Sequence, residues 1–343
     1  MKDGEFLPRL ISWNTTYECN LRCEHCYIDA VLPGNAPPGE LSTGEAFKLI
    51  DDIASFSKPI LILSGGEPLL RKDIYDIASY GSSKGLRIVM GTNGTLIDDE
   101  VVERLKDAGV MRVGISIDAL TPSIHDHFRG VEGAHHAAIE GAKACKRGGL
   151  SFQIHTTITR DNYQEIPDMM DFVLDLGADA FHLFFLVPTG RGEDLVDVTP
   201  QQYEDMLVFL YERSQSFPIE LKAVCAPQFM RIAMERGGKD DPQLKRFTKG
   251  CLAATAYCRI KPDGEVNPCP YLPVNVGNVR DTSFEIIWKE SKVLNELRNP
   301  DLLEGGCGSC RYRTICGGCR ARAYAINGSY LAEEPWCVYA DRL

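Results

Sequence analysis

The sequence predicts an α/β fold: a partial, TIM-like barrel of six strand–helix units, (β/α)6, followed by a smaller cysteine-rich domain. Two observations lead to this prediction. Apolar, β-branched segments alternate with segments of helical periodicity over the first two thirds of the chain, and cysteine crowds the last quarter. Strict alternation implies a parallel sheet with right-handed crossovers, and six units rather than eight leave the barrel open on one side.

The predicted strands are short and apolar, as is typical of strands buried on both faces of a parallel sheet. They cover residues 9–14, 60–64, 87–91, 112–118, 152–159 and 180–187. Several predicted helices open at a capping residue such as Ser42 or Asp98 and close at a glycine such as Gly109 or Gly177. The helices cover residues 43–56, 73–83, 98–108, 133–147, 163–176 and 200–214.

After about residue 216 the alternation stops, and Gly, Pro and Cys separate short segments. We therefore expect a barrel domain at residues 1–215 and a second domain at residues 216–343. A cysteine-dense, irregular segment of this size buries little apolar surface, so its order is expected to depend on bound metal.

Composition and charge narrow the functional classes. Of 343 residues, 44% are hydrophobic and 25% are charged, which describes a globular chain. The net charge of -11 argues against nucleic acid as a partner. No apolar run approaches the roughly 18 residues of a membrane span, and the first residues lack the apolar core of a secretion signal. We expect a cytoplasmic protein with no membrane partner.

Thirteen cysteines are unusual for such a chain. An odd number without a secretion signal argues against a disulfide framework and favours metal binding or catalysis. Cys145 and Cys225 stand alone in the sequence and are expected to be small buried hydrophobic residues. The other eleven fall into an early group of three and a late group of eight.

The early group is Cys19, Cys23 and Cys26, in the loop after the first predicted strand. In a parallel barrel this loop lies at the C-terminal face, where active sites form. Three closely spaced thiolates suit a cubane iron–sulfur cluster and leave one iron open to a ligand. The alternative is a zinc site that His25 completes.

This CxxxCxxC loop resembles the hallmark of the radical S-adenosylmethionine (SAM) superfamily, as do Tyr27 directly after it and SGGEP at residues 64–68. The resemblance implies a [4Fe-4S] cluster whose open iron binds the amino and carboxylate groups of SAM. An electron from the cluster then cleaves SAM to a 5′-deoxyadenosyl radical. Gly65 and Gly66 would let the backbone approach a ligand closely, and Glu67 would accept from the SAM ammonium.

The resemblance extends to other strand ends, and it implies a set of SAM-binding residues. These are Tyr27, Ser64, Gly65, Gly66, Glu67, Thr92, Asn93, Ser116, Asp118, Arg129, His155, Thr157 and Val187. Arg129 would pair with the methionine carboxylate, although a surface ion pair with Asp126 is the alternative. For His155, Thr157 and Val187, contact with the adenosine and simple core packing both stay open.

The late cysteines, with Gly264 ahead of Cys269, resemble the SPASM (or twitch) extension, which houses one or two auxiliary [4Fe-4S] clusters. One implied ligand set is Cys307, Cys310, Cys316 and Cys337. The second is Cys251, Cys258, Cys269 and Cys319, although the spacing before Cys319 departs from the usual pattern. One or two zinc ribbons are the alternative.

Within the superfamily, the segments ISWNTTYECNLRCEHCY, VMGTNGTLI, FQIHTTITRDN and FHLFFLVPTGRG resemble the didecarboxysiroheme deacetylase branch and its heme d1 relatives. The resemblance implies a tetrapyrrole substrate, removal of two acetate side chains to give iron-coproporphyrin III, and an electron donor such as ferredoxin or flavodoxin. His25 is the candidate catalytic residue, as a ligand of the heme iron or a proton donor. Candidate substrate contacts are His182, Phe184, Phe185, Arg160, Arg191, Arg320 and Arg322.

Three alternatives remain from the sequence. A sister reaction would convert propionates oxidatively to vinyl groups, or remove propionates for heme d1. A SPASM peptide-modifying maturase is the second, and a non-enzymatic iron–sulfur carrier is the third. The three-cysteine loop beside SGGEP argues against the carrier, because a carrier does not need a cluster with an open iron.

Overall fold

The structure is a computed structural model that describes residues 6–195, 197–246 and 249–339. Its strands form one sheet. They are β1 (Leu10–Asn14), β2 (Ile60–Ser64), β3 (Arg87–Thr92), β4 (Val110–Ser116), β5 (Phe152–Ile158), β6 (Ala180–Phe185), β7 (Glu220–Val224), β8 (Tyr257–Ile260), β9 (Glu265–Asn267) and β10 (Gly277–Asn278).

The sheet has the order β10-β9-β8-β1-β2-β3-β4-β5-β6-β7. In this order, all neighbouring strands between β8 and β7 pair in parallel. At the other edge, β9 pairs antiparallel with both β8 and β10. The register places Trp13 of β1 opposite Leu63 of β2 and Ile260 of β8. All carboxyl ends of β1–β7 therefore meet at one edge of the sheet, where loops from different strands can form a site.

The helices follow the strands in alternation through the barrel and then become short. They are α1 (Thr43–Phe56), α2 (Ile74–Ser83), α3 (Asp99–Asp107), α4 (Pro122–Arg129), α5 (Ala134–Gly148), α6 (Ile166–Leu176), α7 (Pro200–Ser214), α8 (Gln228–Gly237), α9 (Pro242–Arg246), α10 (Phe284–Glu290), α11 (Lys292–Arg298), α12 (Gly305–Ser309) and α13 (Arg320–Asn327). Short 3-10 turns cover Pro68–Leu70, Tyr163–Glu165, Gly190–Gly192 and Pro300–Leu302.

The N-terminus of α1 is stabilised by a capping box and also contacts the C-terminal region. Ser42 Oγ accepts from Glu45 N, and Glu45 Oε2 accepts from Ser42 N at 2.8 Å, which is a capping box. Arg280, from the C-terminal region, donates to Glu45 Oε1 at 2.6 Å and to Gly39 O at 2.8 Å. The capped helix thus also anchors the C-terminal segments to the barrel.

The core lies between the sheet and the helices that cover it. Trp13, Phe152, Phe181 and Phe185 are at most 2% exposed and belong to one continuous apolar cluster. Burial of each such side chain contributes about 1.5–3 kcal/mol relative to exposure. The fold is therefore anchored below the loops that form the site.

The predicted partial α/β barrel is confirmed, and several helix bounds agree with prediction, as for α1 and α7. The sequence analysis did not predict strands β7–β10 or helices α4 and α8–α13. Since β7 pairs with β6 beyond residue 216, the parallel sheet continues into the segment that we expected to belong to the second domain. In the part of the chain that the structure describes, no helix is both long and apolar enough to cross a membrane.

Candidate active site at the barrel mouth

The first cysteine loop follows β1 and brings three thiols together. Burial raises the pKa of Cys19 to about 12, and the neighbouring thiols of Cys23 and Cys26 raise it as well. Thiolates so close together repel one another, and iron cations would offset that repulsion. The three thiols therefore fit the ligand set of a cluster with one open iron.

Backbone and side-chain donors point at these sulfurs. Leu21 N lies 3.4 Å from Cys19 Sγ, and Ala30 N lies 3.4 Å from Cys26 Sγ. Arg129 Nη1 lies 3.7 Å from Cys23 Sγ. Donors aimed at sulfur favour the thiolate form, which is the form that ligates iron.

The two glycines after β2 pack against the cysteine loop. Gly66 N donates to Thr16 O at 2.8 Å, and Glu67 N donates to Glu18 O at 2.7 Å. A Cβ on Gly66 would lie 2.1 Å from Glu18 O, and one on Gly65, whose φ is +156°, would lie 2.9 Å from Thr16 O. Glycine is required here because two backbones meet, which fixes the position of the cysteine loop.

The carboxylate of Glu67 is fully buried and engaged by its own chain. It accepts from Thr92 Oγ1 at 2.8 and 2.9 Å, from Asn93 N at 2.9 Å and from Leu69 N at 3.2 Å. Burial raises the pKa of Glu67 to about 7, against the lowering effect of these donors. Glu67 thus joins the loops after β2 and β3, and its contact with an ammonium stays a prediction.

Asn93 continues this connection toward the cysteines. Its Nδ2 donates to Asn20 Oδ1 at 2.8 Å and lies 3.9 Å from Cys19 Sγ. Its Oδ1 accepts from Thr95 N and Thr95 Oγ1 at 2.9 and 2.8 Å. Three predicted SAM-binding residues, Glu67, Thr92 and Asn93, therefore lie together beside Cys19, the first cysteine of the loop.

Asp118 and Arg129, two further predicted SAM-binding residues, form an ion pair with each other. Arg129 Nε donates to Asp118 Oδ2 at 2.6 Å, and both side chains are buried. The alternative of a surface ion pair between Arg129 and Asp126 is wrong, because Asp126 accepts from Gly133 N and His135 N instead. Arg129 reaches Cys23 from this buried pair, so it stands at the edge of the cluster site.

His25 lies between two cysteines of the loop and stacks on Phe128. The ring centroids are 4.2 Å apart and the planes differ by 5°. Burial lowers the pKa of His25 to about 3, and nearby Arg129 lowers it further. A neutral imidazole suits metal ligation better than proton donation at neutral pH, and the catalytic role of His25 stays a prediction.

The barrel interior between β5 and β6 carries two parallel histidine rings. His155 and His182 have centroids 5.5 Å apart, and Gln153 Nε2 lies 2.6 Å from His155 Nε2. Burial lowers the pKa of His155 to about 3, and the ring of Phe184, tilted by 56°, has its centroid 5.1 Å from that of His155. The rings form an aromatic wall that is neutral at physiological pH.

Other predicted SAM contacts lie around this interior. Thr157 N donates to Asp118 Oδ1 at 2.9 Å, and Ser116 Oγ lies 3.5 Å from Thr92 O. Val187, after β6, is 3% exposed and belongs to the same apolar core cluster as Phe185. Ser64 accepts at its carbonyl from Thr15, so its backbone also supports the cysteine loop.

Tyr27 connects the cysteine loop to the C-terminal region. Its hydroxyl accepts from Asn14 Nδ2 at 2.9 Å, and its ring lies 5.1 Å from the ring of Tyr271. The guanidinium of Arg259 lies 5.2 Å from the Tyr27 ring centroid. Tyr271 and Arg259 were missed from the sequence, since no local motif marks them.

A second group of thiols lies in the C-terminal region. Cys307, Cys310, Cys316 and Cys337 line one pocket. Cys307 Sγ accepts from Glu334 N at 3.3 Å, and Cys310 Sγ accepts from Tyr312 N at 3.4 Å. The structure thus brings together all four cysteines of this predicted set, and their chemistry fits a fully thiolate-ligated cluster.

The other predicted set is brought together only in part. Cys251 and Cys319 act on the buried thiol of Cys269, and both raise its pKa beyond the effect of burial. Cys258 instead lies in the apolar core on β8, where it is 0% exposed and pairs in register with Ile11. The strand turns its side chain away from the other three cysteines.

Three arginines that we considered as substrate contacts hold the backbone near the cysteines. Arg191 donates to Cys23 O at 3.0 Å and to Ala30 O at 2.9 Å. Arg320 donates to Tyr330 O and Ala332 O and approaches Cys307 Sγ, while Arg322 pairs with Glu334 in full burial. Arg160, beside Asp161, is exposed at the surface, and Arg191 is exposed as well.

Among the described residues, no three or more His, Cys, Asp or Glu side chains form a ligand group for a single metal ion.

Comparison with known proteins agrees with this geometry. The family model described as the radical SAM superfamily matches residues 13–173, and the model described as an iron-sulfur cluster-binding domain (SPASM) matches residues 251–320. The chain belongs to the radical SAM superfamily and is an enzyme of that class. Its cofactors are S-adenosylmethionine and [4Fe-4S] clusters.

Relatives that align over nearly the whole chain assign it to a narrower family within the superfamily. An AdoMet-dependent heme synthase of Methanosarcina barkeri is 46% identical over 97% of both chains. An Fe-coproporphyrin III synthase of the same organism is 32% identical, covering 96% of this chain and 87% of the relative. A pre-heme d1 synthase of Dinoroseobacter shibae is 34% identical over 96% and 85%. Within the superfamily, the chain is a member of the radical SAM heme synthase family.

A solved structure supports the fold. Streptococcus suis SuiB bound to precursor peptide SuiA has a TM-score of 0.75 and 18% identity, covering 96% of this chain and 76% of SuiB. At this identity the likeness concerns architecture, so it confirms the barrel with its cysteine-rich extension.

Proposed function

We propose that the protein makes heme from iron-coproporphyrin III by oxidative decarboxylation of two propionate side chains to vinyl groups. One observation carries the proposal: the chain matches an AdoMet-dependent heme synthase with 46% identity over 97% of both chains. Identity to the Fe-coproporphyrin III synthase is 32%, and identity to the pre-heme d1 synthase is 34%. The proposal selects the sister reaction among the alternatives that the sequence leaves open.

The proposed reaction needs a strong hydrogen-atom acceptor. When bound, the cluster and SAM supply a 5′-deoxyadenosyl radical for that purpose. Transfer of one hydrogen atom from the propionate carbon beside the ring to that radical gives 5′-deoxyadenosine. Loss of CO2 from the side chain, with passage of the released electron to a one-electron acceptor such as an oxidised ferredoxin or flavodoxin, leaves a vinyl group. Each side chain thus loses CO2 and two hydrogens overall, and we propose ferredoxin or flavodoxin as the donor for SAM cleavage.

The chain's own residues fit these tasks. Cys19, Cys23 and Cys26 would hold the cluster, with Glu67 and Asn93 fixing the loops around it. The aromatic wall of His155, His182 and Phe184 suits a flat macrocycle, because aromatic rings stack on one another. The neutral imidazoles on this wall, or His25 in the cysteine loop, are candidates to contact the tetrapyrrole iron.

Removal of two acetate groups from didecarboxysiroheme is the second candidate. It is supported by the segments around the cysteine loop and by the relative named Fe-coproporphyrin III synthase. Both candidates use the same radical, a similar flat substrate and the same cofactor ligands. They differ in the side chain that reacts, and the product mass distinguishes them.

The test is an anaerobic assay of the cluster-loaded protein with SAM and reductant, offered either iron-coproporphyrin III or didecarboxysiroheme. We expect 5′-deoxyadenosine together with a product that has lost CO2 and two hydrogens from each of two propionates. Loss of two acetates from didecarboxysiroheme, with iron-coproporphyrin III unchanged, would replace the proposal by the second candidate. 5′-Deoxyadenosine without change in either tetrapyrrole would direct the search to peptides.

A further inference from the structure

We infer that Cys225 is the fourth thiolate of the auxiliary cluster site formed with Cys251, Cys269 and Cys319. The resemblance to the SPASM extension implies Cys258 for this position. The inference concerns the cofactor site alone, so it is independent of the substrate side chain that reacts. It rests on where the folded chain places the two candidate cysteines.

The alternation of side chains along β8 separates Cys258 from this site. Successive residues of a strand point to opposite faces of the sheet. Arg259 faces the interior, where its guanidinium lies over the ring of Tyr27, and Tyr257 has the thiols of Cys269 and Cys225 as electrostatic neighbours. Cys258 therefore faces the opposite side, into the apolar core.

Cys225 lies on the side of the sheet that faces the other three thiols. It directly follows β7, at the carboxyl edge of the barrel. Burial raises the pKa of its thiol, the nearby thiols of Cys319, Cys269 and Cys251 raise it further, and Arg322 lowers it. Burial and the nearby thiol of Cys225 raise the pKa of Tyr271, two residues after Cys269.

Backbone contacts join the segments that carry these four cysteines. A Cβ on Gly250, directly before Cys251, would lie 2.8 Å from both Pro227 O and Cys316 O. Ala254 N donates to Pro268 O at 3.3 Å, one residue before Cys269. The segments after β7, before β8 and before α13 therefore converge at one place.

Two side chains hold Cys225 in an uncommon backbone conformation. Its φ is +59°, in the left-handed region that non-glycine residues rarely adopt. Its carbonyl accepts from Tyr203 OH at 3.3 Å and from Arg322 Nη2 at 3.2 Å. Arg322 belongs to α13, which begins directly after Cys319, so it joins the two proposed ligands through their backbones.

The assignment completes the ligand count. Cys225, Cys251, Cys269 and Cys319 make a four-thiolate set, which suits a cluster without an open iron. With the first cysteine loop and the pocket of Cys307, eleven cysteines are then ligands. Cys145 and Cys258, both 0% exposed, remain as apolar core residues.

The test compares Cys225→Ala with Cys258→Ala in the full-length protein after anaerobic reconstitution. The readouts are iron and sulfide per chain, with Mössbauer and electron paramagnetic resonance spectra. We expect Cys225→Ala to lose iron by about one third, or to convert one of three clusters to a form with an altered iron site. Cys258→Ala should keep the iron content and spectra of the unsubstituted protein.

Two results would overturn the inference: unaltered clusters in Cys225→Ala, or cluster loss in a Cys258→Ala protein whose circular dichroism shows it folded. Cluster loss in a Cys258→Ala protein that is unfolded reports a core defect and leaves the Cys225→Ala result decisive. If Cys225→Ala fails to fold, Cys225→Ser decides. Its hydroxyl keeps the size of the side chain and can ligate iron, so we expect a retained cluster with a changed spectrum, and an unchanged spectrum would refute the assignment.

Discussion

Asp118 and Arg129 form a buried ion pair, with Arg129 Nε 2.6 Å from Asp118 Oδ2, between the end of β4 and the last turn of α4. Asp118 Oδ1 also accepts from Thr157 N, and Arg129 also reaches Cys23 Sγ. Arg129 lowers the pKa of Asp118 against the opposing effect of burial. The pair thus connects three barrel elements to the cysteine loop.

Replacement of Arg129 by Met should destabilise the cluster-free protein by about 3–5 kcal/mol, because Asp118 would stay buried without its cation. Urea unfolding measures the change. The exposed pair of Arg147 and Asp99 gives the matched control, and Arg147→Met should cost less than about 1 kcal/mol. Asp118→Asn combined with Arg129→Met should recover much of the loss, and a cost below that of the control would contradict a structural role for the pair.

Gly66→Ala should prevent assembly of the first cluster. The new Cβ would lie 2.1 Å from the backbone oxygen of Glu18, and backbone cannot move aside as a flexible side chain can. We expect iron content to fall and 5′-deoxyadenosine formation to be lost, with the auxiliary clusters retained. Gly44→Ala is the control, since nothing lies within 4 Å of its added carbon. A Gly66→Ala protein with normal SAM cleavage would refute the requirement for close backbone packing.

The sequence predicts this site unevenly, for physical reasons. Cys19, Cys23 and Cys26 lie within one loop, so their spacing alone indicates that they bind one metal cluster together. The ion-pair partner of Arg129 was harder to predict from the sequence. Asp126 lies three residues before Arg129 on the same helix, α4, whereas Asp118 lies outside that helix. The structure uses Asp126 at the start of α5 and thereby leaves Arg129 to Asp118.

Contacts between segments distant in the sequence also explain which residues the sequence analysis missed in the C-terminal region. Cys225 stands alone in the sequence, and only the pairing of β7 with β6 brings it to the barrel edge. The strand itself, ELKAV, contains two charged residues and lacks the apolar run of the other parallel strands. Arg322 and Tyr271 likewise act through long-range contacts that no local pattern shows.

His125 should give the apo protein a stability that rises with pH. Burial lowers the pKa of His125 to about 4, and its Nδ1 accepts from Asp118 N at 3.1 Å. The unfolded chain, with a histidine pKa of about 6.5, binds the proton more readily, so stability is present above that pH and is lost as the pH falls toward 4. The shift corresponds to about 3 kcal/mol.

His125→Asn should flatten this dependence, because an amide oxygen can replace the acceptor without titrating. Urea midpoints of the cluster-free protein from pH 4 to pH 8 measure the effect. Other buried histidines contribute in the same direction, so the difference between variant and unsubstituted protein is the informative quantity. The exposed His127 gives the control, His127→Asn. An equal slope in all three proteins would contradict the assignment.

Cys23→Ala and Cys310→Ala should separate SAM cleavage from turnover. Cys23 belongs to the loop that we propose to hold the SAM-binding cluster, so its loss should abolish 5′-deoxyadenosine formation. Cys310 lines the separate C-terminal pocket, so its loss should spare part of that cleavage while reducing conversion of the tetrapyrrole. Chromatography of 5′-deoxyadenosine and mass spectrometry of the tetrapyrrole measure the two. Cys145→Ala, in the helix core of α5, is the control. Equal SAM cleavage by Cys23→Ala and the unsubstituted protein would exclude this loop as the site of the radical chemistry.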